Sequence, residues 1–128
     1  MATRILVVED HPTMREAMRL VLEGEGFDIA EAADGDSALE SIRRARPDLV
    51  FLDLNIPGTS GPEVLSAVRG QPETASIRVI VVTATGEEGR ADALALGADG
   101  YFTKPFSPAA LLETVARVLG GPSAPGEA

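Results

Sequence analysis

The chain has 128 residues, no cysteine, 45% hydrophobic residues and a formal net charge of −9. That length suits one domain with a core of its own, and the hydrophobic fraction excludes a disordered chain. The missing cysteines exclude disulfides, thiolate metal sites and cysteine nucleophiles, while the acidic balance and an aromatic content of 4% argue against direct contact with nucleic acid or an anionic membrane.

In chain order, Met1 to Arg4 carries one base, and the apolar run Ile5 to Val8 is closed at once by Glu9 and Asp10. That run is too short for a signal peptide core, and Val79 to Val82 is too short to span a bilayer, so a soluble cytoplasmic protein is expected. Ile5-Leu6-Val7-Val8 predicts a strand without a polar face. Pro12 stands where a first helix would start, because its fixed φ and missing N–H cost nothing there. Ala17, Met18, Val21 and Leu22 then recur at helical spacing. Phe27 to Ala30 predicts a weaker strand, and Ala38, Leu39 and Ile42 a second helix that Asp34 can cap. Leu49 to Leu52 is the third strand, and Val64, Leu65 and Val68 mark the third helix. Val79 to Val82 is the fourth strand, followed by a small-residue helix face of Ala91, Leu94, Ala95 and Ala98. Gly100 to Thr103 predicts a fifth strand. Leu111, Leu112, Val115, Val118 and Leu119 predict a last helix, with Ser107 as its cap and Pro108 in its first turn. Gly24, Gly26, Gly97 and Gly120 fall just past helical stripes, where a left-handed cap suits glycine. Residues 120–128 hold nothing apolar larger than alanine and read as a flexible tail or linker stub.

The pattern is strand then helix, repeated five times. Strands apolar on both faces are buried on both faces, which means a parallel sheet covered by helices. Right-handed crossovers make it an open, doubly wound α/β sandwich, with its ligand beyond the carboxyl ends of the strands.

The residues at those ends carry the chemistry. Glu9 and Asp10 follow the first run, Asp53 the third, Thr83 the fourth, and Thr103-Lys104 the fifth. Clustered carboxylates repel one another, and a hard divalent cation offsets the repulsion; Mg²⁺ is held by one or two carboxylates plus a phosphate. A single strand-end acid reads most simply as a solvated loop residue, but acids ending both the first and third strands point to a magnesium site. Lys104 is the only lysine among arginines, which suggests a need for a compact ammonium. Pro105 after it allows a cis bond. The Thr83 hydroxyl can bond a phosphoryl oxygen, with Ala84 leaving room, although threonine also suits a strand end for its β-propensity. Asp53 is the best nucleophile, able to form an acyl phosphate whose charge Mg²⁺ and Lys104 stabilise. Asn55 can offer its main-chain carbonyl to the metal. No serine is set up with His11 as a triad; His11 reads as a loop residue at the mouth of the site.

Val8-Glu9-Asp10-His11-Pro12, Asp53-Leu54-Asn55-Ile56-Pro57-Gly58 with Gly61, Val82-Thr83-Ala84 and Tyr101-Phe102-Thr103-Lys104-Pro105-Phe106 together resemble the receiver domain of bacterial response regulators, of the chemotaxis-regulator type. The match covers roughly residues 3 to 120, with all motifs in order. The resemblance implies a flavodoxin-like (βα)5 three-layer sandwich with strand order 2-1-3-4-5. It implies a receiver domain over 3–120 and a tail over 121–128. It implies that Asp53 accepts a phosphoryl group from a sensor histidine kinase or phosphotransfer protein. Asp10 would bind Mg²⁺ directly, Glu9 through water, and Asn55 by its carbonyl, while Thr83 and Lys104 bind the phosphoryl group. It further implies a switch in which Thr83 moves toward the phosphate and Tyr101 rotates inward. The fourth helix, fifth strand and fifth helix would carry that signal to a downstream target, an output domain or a second copy of the chain.

Two departures stand out. The acid pair is Glu9-Asp10 instead of two aspartates, and Ser60 stands where many members have aspartate before Gly61, though serine can still cap the next helix. Thr85 and Asn55 are expected to tune the lifetime of the acyl phosphate. One alternative is a phosphorylation-independent interaction module of the same fold. Another is a turnover phosphatase of the haloacid dehalogenase type, disfavoured because Asn55 occupies the place of the required general acid.

Overall fold

A computed structural model of the chain describes residues 2–84 and 89–119. Among them, five strands, β1 (Arg4–Val8), β2 (Asp28–Ala32), β3 (Leu49–Asp53), β4 (Arg78–Thr83) and β5 (Gly100–Thr103), alternate with five helices, α1 (Pro12–Gly24), α2 (Gly35–Ala45), α3 (Gly61–Gly70), α4 (Arg90–Ala95) and α5 (Pro108–Val118). All strand pairs are parallel, in the order β2-β1-β3-β4-β5. This is the doubly wound sandwich expected from the alternating runs.

The strands lack a polar face because both faces are covered. Ile5, Val7, Leu49, Phe51, Ile80 and Val82 pack on Met18 and Leu22 of α1 and on Leu111 and Val115 of α5. Leu6, Val8, Val50, Leu52, Val79 and Val81 pack on Ala38 and Ile42 of α2, on Val64, Leu65 and Val68 of α3, and on Ala93 of α4. Each such Leu, Ile, Val or Phe contributes roughly 1.5–3 kcal/mol through burial. Among the described residues, no helix is long and apolar enough to cross a membrane.

Helix starts follow the local signals. Asp34 accepts from Ser37 N at 2.7 Å and Ser107 from Ala110 N at 3.1 Å, and Pro12 and Pro108 occupy first turns. Ser60 and Glu63 form a reciprocal capping box at α3, satisfying two amide donors that the helix leaves unpaired. The Lys104–Pro105 bond is cis.

Some expectations need correction. β2 runs over Asp28–Ala32, shifted from Phe27–Ala30, because an edge strand with a mixed pattern leaves its ends poorly marked. Gly24 is the last residue of α1, and the left-handed position is Gly26, at φ 91°. Gly97 does adopt a left-handed φ of 104°. Ala17 is exposed, leaving Met18 and Leu22 as the buried stripe of α1. The face foreseen for α4 is mostly turned outward: Ala91, Leu94 and Ala95 are exposed, Ala98 is buried but lies beyond the helix end, and Ala93 is buried instead. Alanines bury little surface, so their spacing does not set the phase of a short helix. Thr85, Gly120 and the tail 121–128 lie outside the described residues.

Candidate functional site

Register brings the strand ends together. Val8 pairs with Leu52, Asp53 with Val82, and Thr83 with Thr103. Glu9, Asp53, Thr83 and Lys104 therefore emerge side by side at the carboxyl edge of the sheet, around the point where β1 and β3 diverge in strand order.

The side chains converge. Lys104 Nζ donates to Glu9 Oε1 at 2.7 Å and to Asp53 Oδ2 at 2.8 Å. Asp53 Oδ1 accepts from Asn55 N at 2.9 Å, and Glu9 Oε2 accepts from His11 N at 3.2 Å. Lys104 N donates to the Thr83 carbonyl at 2.9 Å, tying the ends of β4 and β5 together. Glu9 is 1% exposed, Asp53 4% and Thr83 0%. Burial pulls the Lys104 ammonium down, but its hydrogen bonds to Asp53 and Glu9, with their charges, outweigh that and hold it above the ordinary lysine range. Gly61 at the start of α3 lies so close to the chain after Asp53 that a Cβ would sit 2.5 Å from Leu54 Cα. Glycine thus lets α3 press the loop carrying Asn55 against the sheet.

Asp10 is the outer member. Its carboxylate is 39% exposed, and ligand atoms of Glu9, Asp10 and His11 lie within 4.8 Å of one another. His11 is the residue before α1, with a 79% exposed ring whose Nδ1 is 3.7 Å from Glu9 Oε2 and 3.8 Å from Asp10 Oδ1. It stands at the mouth, as expected.

The donor chemistry suits Mg²⁺: Glu9 and Asp10 lie close enough to share a cation, and Asp53, joined to Glu9 through Lys104, adds further hard carboxylate oxygens at the same edge. Each oxygen of the Glu9 and Asp53 carboxylates has two lone pairs, of which the contacts above use one.

Tyr101, expected to rotate inward on phosphorylation, is already 5% exposed, with the Arg90 guanidinium 5.0 Å from its ring centroid. Two participants went unread in the sequence. Arg15 Nη1 donates to the Glu9 carbonyl at 2.8 Å, and Arg15 Nε to Glu31 Oε1 at 2.9 Å. The only sequence signal was a base in the first turn of the helix after the acid pair.

A doubly wound sheet with carboxylates and a lysine gathered at its carboxyl edge is the arrangement expected of a receiver-type signalling domain. Residues 5–116 match the response regulator receiver domain family, and the chain belongs to it. This family serves two-component signalling and is phosphorylated by histidine kinases. The chain is similar to the phosphate regulon transcriptional regulatory protein PhoB of Klebsiella pneumoniae, 44% identical over 120 residues that make up 93% of this chain and 52% of PhoB. It therefore spans about half the length of the curated relatives it matches. Among solved structures it is similar to a response regulator from Chloroflexus aurantiacus, with 33% identity, a TM-score of 0.89 and coverage of 94% of this chain and 99% of that one. It is also similar to the receiver domain of the sensor histidine kinase PA1611 from Pseudomonas aeruginosa, which holds a magnesium ion in its active site cleft, with 29% identity, a TM-score of 0.86 and coverage of 94% and 100%.

Proposed function

We propose that Asp53 accepts a phosphoryl group from a phosphohistidine on a sensor histidine kinase or phosphotransfer protein. The observation that carries this reading is the Lys104 ammonium joining Glu9 and Asp53 at 2.7 and 2.8 Å, from residues far apart in the chain. Mg²⁺ would be held by Asp10, Asp53 and the Asn55 carbonyl, with Glu9 reaching it through water, and when bound it supplies positive charge against the phosphoryl oxygens. The magnesium ion in the active site cleft of the PA1611 receiver domain supports a cation in this cleft.

A carboxylate oxygen of Asp53 attacks phosphorus; an O–P bond forms, the P–N bond to imidazole breaks, and the imidazole keeps the electron pair and takes up a proton. Lys104 then pairs with a phosphoryl oxygen, and the Thr83 hydroxyl donates to another. Attack by water on phosphorus later restores the Asp53 carboxylate and releases phosphate. The domain catalyses these steps on itself alone, as a phosphoacceptor and not a turnover enzyme. Thr83 and Tyr101 act as the switch, altering the surface of α4, β5 and α5 that meets a downstream protein, an output domain or a second copy. We assign the receiver to residues 3–120, residues 121–128 to a tail or linker, and the site of action to the cytoplasm, without direct contact to nucleic acid or membrane.

Acetyl phosphate with Mg²⁺ tests the reading. The wild-type chain should gain one phosphoryl mass, and Asp53→Asn should gain none while keeping its far-ultraviolet circular dichroism. Equal mass gain in Asp53→Asn would place the acceptor elsewhere.

A further inference from the structure

We propose that Arg15 is a positioning residue for the cation site and that Glu31 cancels the charge it brings there; this rests on the reading that Glu9 and Asp10 serve Mg²⁺. The backbone of Glu9 is held on both sides. Its N–H donates to the Ala32 carbonyl of β2 at 3.0 Å, and its carbonyl accepts from Arg15 Nη1 of α1 at 2.8 Å. That carbonyl belongs to the planar peptide leading into Asp10, so turning the plane would swing the Asp10 carboxylate. Arg15 does not float while it holds this group. Its Nε donates to Glu31 Oε1 at 2.9 Å, and Arg19 Nε occupies Glu31 Oε2 at 3.0 Å. The edge strand β2 thus fixes Glu9 twice, once through Ala32 and once through Glu31 and Arg15.

Only a guanidinium suits this task, because its rigid fork offers one donor to Glu31 and another to the Glu9 carbonyl; a lysine ammonium has no such fixed pair. The side chains of Arg15 and Glu31 are 22% and 34% exposed. Ion pairs that wet add little to global stability, so the value of this one is geometric. An uncompensated guanidinium beside a cation site would repel the cation, and the Glu31 carboxylate removes that penalty.

Magnesium titration by calorimetry, alongside melting temperatures without Mg²⁺, tests the proposal. Arg15→Lys and Arg15→Met should each raise the Mg²⁺ dissociation constant about tenfold, at the low end of what outer contacts to metal ligands are worth, with little change in melting temperature. The sign is diagnostic, because removing a positive charge in Arg15→Met would by itself tighten Mg²⁺. Glu31→Gln should weaken Mg²⁺ a few-fold at low salt and recover at high salt, where the exposed charge is screened. Asp10→Asn serves as the control. If Asp10→Asn loses Mg²⁺ and both Arg15 variants bind it like wild type, the proposal fails and the site reading stands. If wild type itself binds no Mg²⁺, both fall. Weaker binding that only tracks a collapsed melting temperature would make Arg15 structural and also overturn the proposal.

Discussion

Lys104 is the chain's only lysine, and its ammonium bonds the carboxylates of both Glu9 and Asp53. Removing one partner of a buried ionic cluster strands the others, at about 3 kcal/mol or more. Lys104→Met should lose stability of that order in urea at neutral pH. Because its folded-state pKa is raised, the folded chain holds this proton more tightly than the unfolded chain. The stabilisation is therefore complete below about pH 10, near the unfolded lysine value, and disappears as pH rises through the folded value. The difference between wild type and Lys104→Met should narrow in strong alkali. A gap that stays constant there would mean that the ammonium is not its source.

At the scale of elements, the loop after β3 is held by the start of α2. Gly35 N donates to the Pro57 carbonyl at 3.0 Å, and Thr59 Oγ1 donates to Asp36 Oδ1 at 2.6 Å. A Cβ on Gly35 would lie 1.8 Å from the Thr59 carbonyl oxygen, a backbone atom that cannot step aside alone. Gly35→Ala should therefore displace the loop carrying Asn55, with a loss of about 2–3 kcal/mol typical of overpacking and weaker Mg²⁺ binding; unchanged thermal melting and magnesium titration would refute the clamp. At the other end of α2, Arg46 adopts φ 48° and ψ 66°, a left-handed position that disfavours a side chain. Arg46→Gly should raise stability by about 0.5–1 kcal/mol, which differential scanning calorimetry would read as a rise of a few degrees. A fall in melting temperature would show that the arginine side chain stabilises the helix end by more than its strain.

For the whole molecule, the architecture was legible because apolar runs on both strand faces demand a sheet covered on both sides. The candidate site was legible because four of the five runs stop at a residue with chemistry: Glu9, Asp53, Thr83 and Lys104. What stayed hidden depends on neighbours that spacing does not reveal. The Arg15 bond to the Glu9 carbonyl needs helix and strand to be packed first, and the phase of α4 rests on alanines that bury too little to mark a face. Arg46 gave no sign of its left-handed backbone, since glycine is the residue that advertises one. The four motifs become one site only through the parallel order β2-β1-β3-β4-β5, and the central claim is that this gathering makes Asp53 a phosphoacceptor. The most direct measurement is to treat the Mg²⁺-loaded chain with acetyl phosphate, trap the acyl phosphate with borohydride, and map the reduced residue by peptide mass spectrometry. The account predicts conversion of Asp53 to homoserine, dependent on Mg²⁺; reduction at Asp10 or another acid, with Asp53 untouched, would contradict it.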